Sequence, residues 1–201
     1  GITTSYMGGL NGAWTLFDDK MNIGGNYLYN ASDNDVEESS VKTTYLNDYN
    51  LLYNSRGVSN THSDGHRFGM RLEHKFSENT SILFEPSINF GTGHYSQSSK
   101  DSTYRDDLSG NLTKLNDAFT ENSGSNRNAS AEGFLLFRQR LGIPGRTMTA
   151  MFNFNLSNNV LDGFNNNGTT SYDGDVAKKE LVNQNFNNNQ KSYSLFGDLT
   201  Y

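Results

Sequence analysis

Hydrophobic and polar residues alternate with period two in seven places along the chain, and helical periodicity is almost absent. The clearest run sets Ile82, Phe84, Pro86, Ile88 and Phe90 against Leu83, Glu85, Ser87 and Asn89. Before it, Phe68, Met70, Leu72, His74 and Phe76 oppose Arg67, Gly69, Arg71, Glu73 and Lys75. Later, Leu135, Phe137 and Leu141 share a track with Ala129, Ala131, Gly133 and Gln139, and Met148, Ala150, Phe152, Phe154 and Leu156 form the next. Leu10, Trp14 and Leu16, then Met21, Ile23, Tyr27 and Tyr29, do so near the N-terminus, and Tyr193, Leu195, Leu199 and Tyr201 near the other end. These tracks predict an all-β, antiparallel up-and-down meander of about seven strands, near residues 7–17, 21–30, 66–76, 80–95, 129–141, 147–157 and 193–201.

Where the predicted strands carry charge, it falls on one side. Arg67, Arg71, Glu73, Lys75, Glu85, Glu132, Arg138, Arg140 and Asp198 all take the polar parity. One oily face and one charged face fit a sheet on a soluble core or a barrel wall in lipid. Connections separate the two. Short turns are predicted at Asp18–Lys20, Ser77–Asn79 and Gly142–Arg146, and long loops at 31–65, 96–128 and 158–192, rich in Asn, Ser, Asp and Gly. Three structureless loops of that length count against a compact soluble domain. Short turns alternating with long loops are what outer-membrane barrels show, with the turns periplasmic and the loops external. Tyr27, Tyr29, Tyr95 and Tyr193 are expected where strands meet those loops, as an interfacial girdle. The reading is therefore one β-barrel segment over 1–201, in the bacterial outer membrane.

Composition sharpens this reading. A mean hydropathy of −0.73 with 13 Phe and 11 Tyr is unlike a disordered chain. No Cys is present, so disulfide frameworks and thiolate metal sites are excluded. A net charge of −6 argues against a nucleic-acid partner. The first residue, Gly1, and the stop at Tyr201 inside an alternating run favour an excised fragment over a complete mature protein.

The run from Asn11 to Tyr29, with Arg67–Phe76 and Ile82–Pro86, resembles barrel strands of Bacteroidetes outer-membrane proteins of the TonB-dependent transporter and receptor type. The resemblance implies a barrel of about 22 strands with an internal plug. It also implies nutrient uptake energised through a TonB-type protein and, through the full-length protein, an accompanying surface lipoprotein. These residues would supply wall and outer loops, with outer-membrane lipid against them. No substrate residue is carried over, and the nutrient ligand is unknown.

Candidate chemistry is sparse. His62 and His66 flank Asp64, but on a loop that spacing has no fixed geometry for a metal. Asp33, Asp35, Glu37 and Glu38, and Asp173 with Asp175, gather acidic oxygens, yet Gln184 stands where an EF-hand needs Glu. His94 and Ser96 share a strand face in a way similar to outer-membrane phospholipases, without an evident orienting third residue. They read as polar rim residues. A short helix is predicted over 175–186, with Asp175 as N-cap. The six Asn-x-Ser/Thr sequons follow from the high Asn content.

No catalytic residue, cofactor or metal is assigned. Arg67, Arg71, Glu73, Lys75, Glu85, Glu132, Arg138 and Arg140 are the candidates for lining a lumen. The alternative function is a non-transport surface β-protein, an adhesin or a glycan- or protein-binding module; an outer-membrane lipid hydrolase is the remote one. Two bare edges on an isolated segment predict edge-to-edge self-association.

Overall fold

The computed structural model describes residues 1–174 and 176–201. Its described residues form seven strands: β1 (Ile2–Leu16), β2 (Met21–Tyr45), β3 (Asn50–Lys75), β4 (Thr80–Asp106), β5 (Leu112–Arg140), β6 (Thr147–Asp173) and β7 (Val176–Thr200). Each strand pairs antiparallel with the next, giving one sheet in sequence order. The meander predicted from alternation is therefore the observed fold. The sheet is open, with β1 and β7 as its edges.

The three short turns sit where predicted. Phe17, Asp18 and Asp19 take positive φ (57°, 53° and 65°), and the Lys20 amide donates to the Phe17 carbonyl at 3.2 Å. Ser77 Oγ accepts from the Asn79 and Thr80 amides at 3.2 and 3.1 Å, a side-chain turn that Ser favours. Gly145 (φ 83°) closes the third, where the Leu141 amide donates to the Arg146 carbonyl at 3.0 Å.

The long loops are not loops. Residues 31–65, 96–128 and 158–192 are taken up largely by the outer halves of strand pairs, running from Ala31↔Asp64 to Tyr45↔Asn50, from Ser96↔Ser123 to Asp106↔Leu112 with one register shift between Thr103 and Tyr104, and from Asn158↔Lys191 to Asp173↔Val176. Only tight tips remain, at 46–49, at 107–111 and at Gly174. Both faces of these hairpins are polar, so no hydrophobic alternation marks them. Their backbone groups are satisfied by the ladder all the same. The helix expected over 175–186 is likewise absent: Val176–Phe186 pairs with β6 from Asp173↔Val176 to Gly163↔Phe186. An isolated helix of three turns that includes Val176, Val182, Asn183 and Asn185 is marginal, whereas β6 offers a strand to pair with. Asp175, the expected cap, lies outside the described residues.

This sheet has no core of its own. Ala31, at 6% exposure, is the one buried hydrophobic side chain among the described residues. The accessible surface is 14055 Å², where a compact monomer of this mass exposes about 9,400 Å². A single layer that leaves so much surface open carries its function on its two faces.

Candidate functional site

Register converts the alternation into rows that cross the whole sheet. On one face, the lowest full row reads Leu16, Met21, His74, Ile82, Phe137, Ala150 and Leu199. The next rows contain Trp14, Ile23, Leu72, Phe84, Leu135 and Phe152, then Met70, Pro86 and Phe154, then Leu10, Tyr27, Phe68, Ile88, Leu156 and Tyr193. No described Asp, Glu, Lys or Arg side chain falls in these four rows. A fifth row, with Tyr29, His66 and Phe90, brings in Asn158 and Lys191. On β4 the five rows cover Ile82–Phe90, about 27 Å along the strand, or about 20 Å in height at a 40° tilt.

Above this band the same face changes character within one row. Asp64 and Arg127 come first, then Asp33, His62, His94 and Asp162, then Asp35, then Glu37 and Glu121. Aromatic rings mark the boundary. The Tyr27 and Phe68 centroids lie 4.6 Å apart, those of His66 and Phe90 4.7 Å and those of Tyr29 and His66 5.0 Å. Tyr27, Tyr29 and Tyr193 belong to this edge, but Tyr95 does not. It stands on the opposite face, because an odd spacing of seven residues separates it from Ile88 in β4, and its expected strand end is the middle of a longer strand.

The opposite face carries Arg67, Arg71, Glu73, Glu85 and Glu132 at the level of the apolar band, and Lys75, Arg138 and Arg140 just below its lowest full row. Only some of them meet. Arg71 is ion-paired with Glu85 and reaches Glu73 at 3.7 Å, with all three side chains more than a third exposed. Glu132 faces Ser87, Arg138 faces Ser81 and Arg67 faces Asn89, so these are separate polar positions and not one cluster.

Among the described residues no group of three His, Asp or Glu side chains is arranged to hold a metal. His62 instead bonds Asp33 through Nδ1 at 2.6 Å, and His66 approaches Asp64 at 3.9 Å. His94 and Ser96 share the face of the apolar band, above its edge, opposite His62 and Asn60 respectively. The nearest carboxylate pairing in that row, Asp33 to His62, serves the neighbouring strand.

The outer hairpins hold two constellations that sequence reasoning missed. At the β4–β6 end, Asp117 accepts from Lys114 Nζ at 2.6 Å, Ser102 Oγ at 2.7 Å and the Tyr172 hydroxyl at 2.9 Å. Burial pushes the Asp117 carboxyl up, but these three donors outweigh it and hold the group below its ordinary value. The hydrogen bond to Asp117 raises both Lys114 and Tyr172. At the tip of the β4–β5 hairpin, Asp107 is held low by the Asn111 side chain and the Ser109 and Asn111 amides, which close the turn.

The second constellation is a groove of about 800 Å³ on the polar face, lined by Tyr95, Gln97, Asn122, Asn165, Gln184 and Phe186. Its residues come from four successive strands, and all but Tyr95, the expected end of a strand, were hidden in two expected loops. Only the register brings them together, and no spacing within a single segment signals them.

No family model matches the chain, and no curated protein matches it. Among solved structures, the chain is similar at 7% identity to the membrane pore complex of pneumolysin, over 96% of this chain and 32% of that one, with a TM-score of 0.17. It is similar at 9% identity to BauA, the ferric preacinetobactin receptor from Acinetobacter baumannii, over 98% and 44% of the two chains, with a TM-score of 0.18. The β domain of the Bordetella autotransporter BrkA aligns at 12% identity over 99% and 90%, with a TM-score of 0.15. The chain thus spans less than half the length of the first two, and none of the three adds to what the sheet itself establishes.

Proposed function

We propose that this chain forms part of the wall and outer hairpins of an outer-membrane receptor that takes up a nutrient by TonB-type energy coupling. The observation that carries the membrane reading is the apolar band: four rows across seven strands without a charged side chain, ending abruptly in rows of Asp, Arg and His. With the mixed fifth row its height is about 20 Å, near the apolar belt of a transmembrane barrel, about 25 Å. With no second layer to cover it, lipid is the solvent that fits this face, and the Arg71–Glu85 face becomes the lumen wall. The hairpins then stand outside, where ligand is met first. Energy coupling and a surface lipoprotein follow from the resemblance of the strand sequences, and would act through the full-length protein.

The chain has no Cys, so single cysteines report one position each. Bimane attached at Phe152→Cys and Phe154→Cys should be quenched by brominated phosphatidylcholine in reconstituted liposomes, and at Asn153→Cys and Asn155→Cys it should not. Equal quenching at both parities, or none at either, would overturn the wall assignment. In source cells, an antibody against residues 96–128 should mark the outer-membrane fraction. A soluble band would favour a free surface β-protein instead.

A further inference from the structure

The groove on the polar face of β4–β7 has a construction of its own. Tyr95, Gly124, Gly163 and Phe186 form one row across four strands. A Cβ at Gly124 would lie 2.8 Å from the Tyr95 hydroxyl oxygen, and one at Gly163 would collide with the Cζ end of the Phe186 ring. The two rings therefore lie down over the glycine pair from opposite sides. Across three strand spacings, about 14 Å, they make an apolar floor roughly the size of two sugar rings.

Immediately above this floor, the next row is Gln97, Asn122, Asn165 and Gln184, a planar amide on each of the four strands. The row beyond adds Ser99, Thr120 and Asn167, and the row below adds Asn126. Asn165 Oδ1 and Asn167 Oδ1 are buried without a hydrogen-bond partner, an arrangement that native structures seldom leave unused. None of these four rows carries an Asp, Glu, Lys or Arg on β4–β7, although charge is plentiful on the other face of the same strands, at Lys100, Glu121 and Asp162.

We propose that this groove binds a neutral saccharide. A ring face is electron-rich and accepts the polarised C–H bonds of a sugar lying flat on it. Each amide offers both a donor pair and an acceptor, which matches vicinal hydroxyls that are donor and acceptor at once. Phosphates and carboxylates find no counter-charge here, since the nearest charges beyond these rows on the same strands and face, Asp101 and Glu180, are themselves acidic. The groove lies five residues above Phe90 on β4, about 16 Å beyond the apolar band. The inference rests on the receptor reading, in which this face looks into the outer vestibule, and it supplies the class of ligand captured there.

The full chain, reconstituted in liposomes, is to be titrated with maltoheptaose, xylohexaose and mannohexaose, beside hexagalacturonate and an uncharged Gly/Ser hexapeptide. At least one neutral oligosaccharide should bind. Tyr95→Ala, Phe186→Ala and Asn165→Ala should each weaken it by about tenfold or more, the equivalent of one lost hydrogen bond or stacked ring. Tyr95→Phe should keep the affinity, and Phe164→Ala, on the other face, should leave it unchanged. Binding by none of the neutral sugars, binding insensitive to the three alanine variants, or binding of the acidic sugar or peptide alone would overturn the proposal. Flotation of the same preparation separates the two readings. Liposome-bound protein without sugar binding removes only the saccharide site, and sugar binding by protein that does not float removes only the membrane wall.

Discussion

The Tyr27 hydroxyl and His66 Nδ1 lie 2.8 Å apart across the β2–β3 pair, joining the last fully apolar row to the first mixed one. Tyr27 also rests its ring on Phe68, so one side chain serves both the oily band and its polar margin.

Tyr27→Phe keeps the ring and removes the hydrogen bond, and should cost about 1 kcal/mol. Tyr27→Ala also removes the contact with Phe68 and should cost more. Urea unfolding of the reconstituted protein measures both. Equal losses for the two variants would show that the hydroxyl alone matters.

Arg71 and Glu85 are ion-paired on the polar face but half open to solvent. Their coupling in a double-mutant cycle should be at most about 1 kcal/mol, and weaker in high salt. A coupling of several kcal/mol would mean that the pair is desolvated by something that covers this face.

Gly91 and Gly57 both sit inside strands, yet their surroundings differ. A Cβ at Gly91 would collide with the Asp64 carbonyl oxygen of the adjacent strand, whereas one at Gly57 would find ordinary contacts at 3.4 and 3.7 Å. Gly91→Ala should therefore destabilise by about 1–3 kcal/mol. Gly57→Ala should be neutral, or stabilise by up to about 1 kcal/mol through the unfolded chain. Thermal unfolding of the two variants side by side tests the contrast.

The Asp117 network gives the outer hairpins an acid limit. Because its carboxyl is held below the ordinary value, it contributes stability above the unfolded pKa near 3.9, and that stability is lost as pH falls through the lower folded value. The near-ultraviolet circular dichroism of Tyr104 and Tyr172 should hold from pH 7 to about 5 and fade below about 4. Asp117→Asn should flatten that transition. An unchanged transition in the variant would assign it to other carboxylates.

The inner halves of the strands were legible because an apolar face writes its period into the chain. Ile82–Phe90 and Met148–Leu156 declare themselves, and the turn residues at Asp18, Ser77 and Gly145 bracket them. The outer halves have water on both faces, so Val36–Tyr45 or Asn116–Asn126 show no such period and read as loop. What makes them strands is the neighbouring strand, which no local window contains. The same reason hid the groove. Tyr95 and Phe186 are far apart in sequence, and only the ladder sets two glycines between them.

An odd number of strands has a consequence for how the sheet can be completed. In a meander of seven, β1 and β7 point the same way, so joining one edge to the other, within the chain or between copies standing the same way up, makes a parallel seam. Parallel pairing is the weaker kind, and a seam of that kind would stand alone in a wall otherwise antiparallel throughout. Two copies can match like edges antiparallel only by inverting one of them, which sends their hairpins to opposite sides of a membrane. A wall with every seam antiparallel and every hairpin on one side therefore requires an odd number of further strands between β7 and β1. Copies of this segment standing the same way up cannot furnish such a wall by themselves.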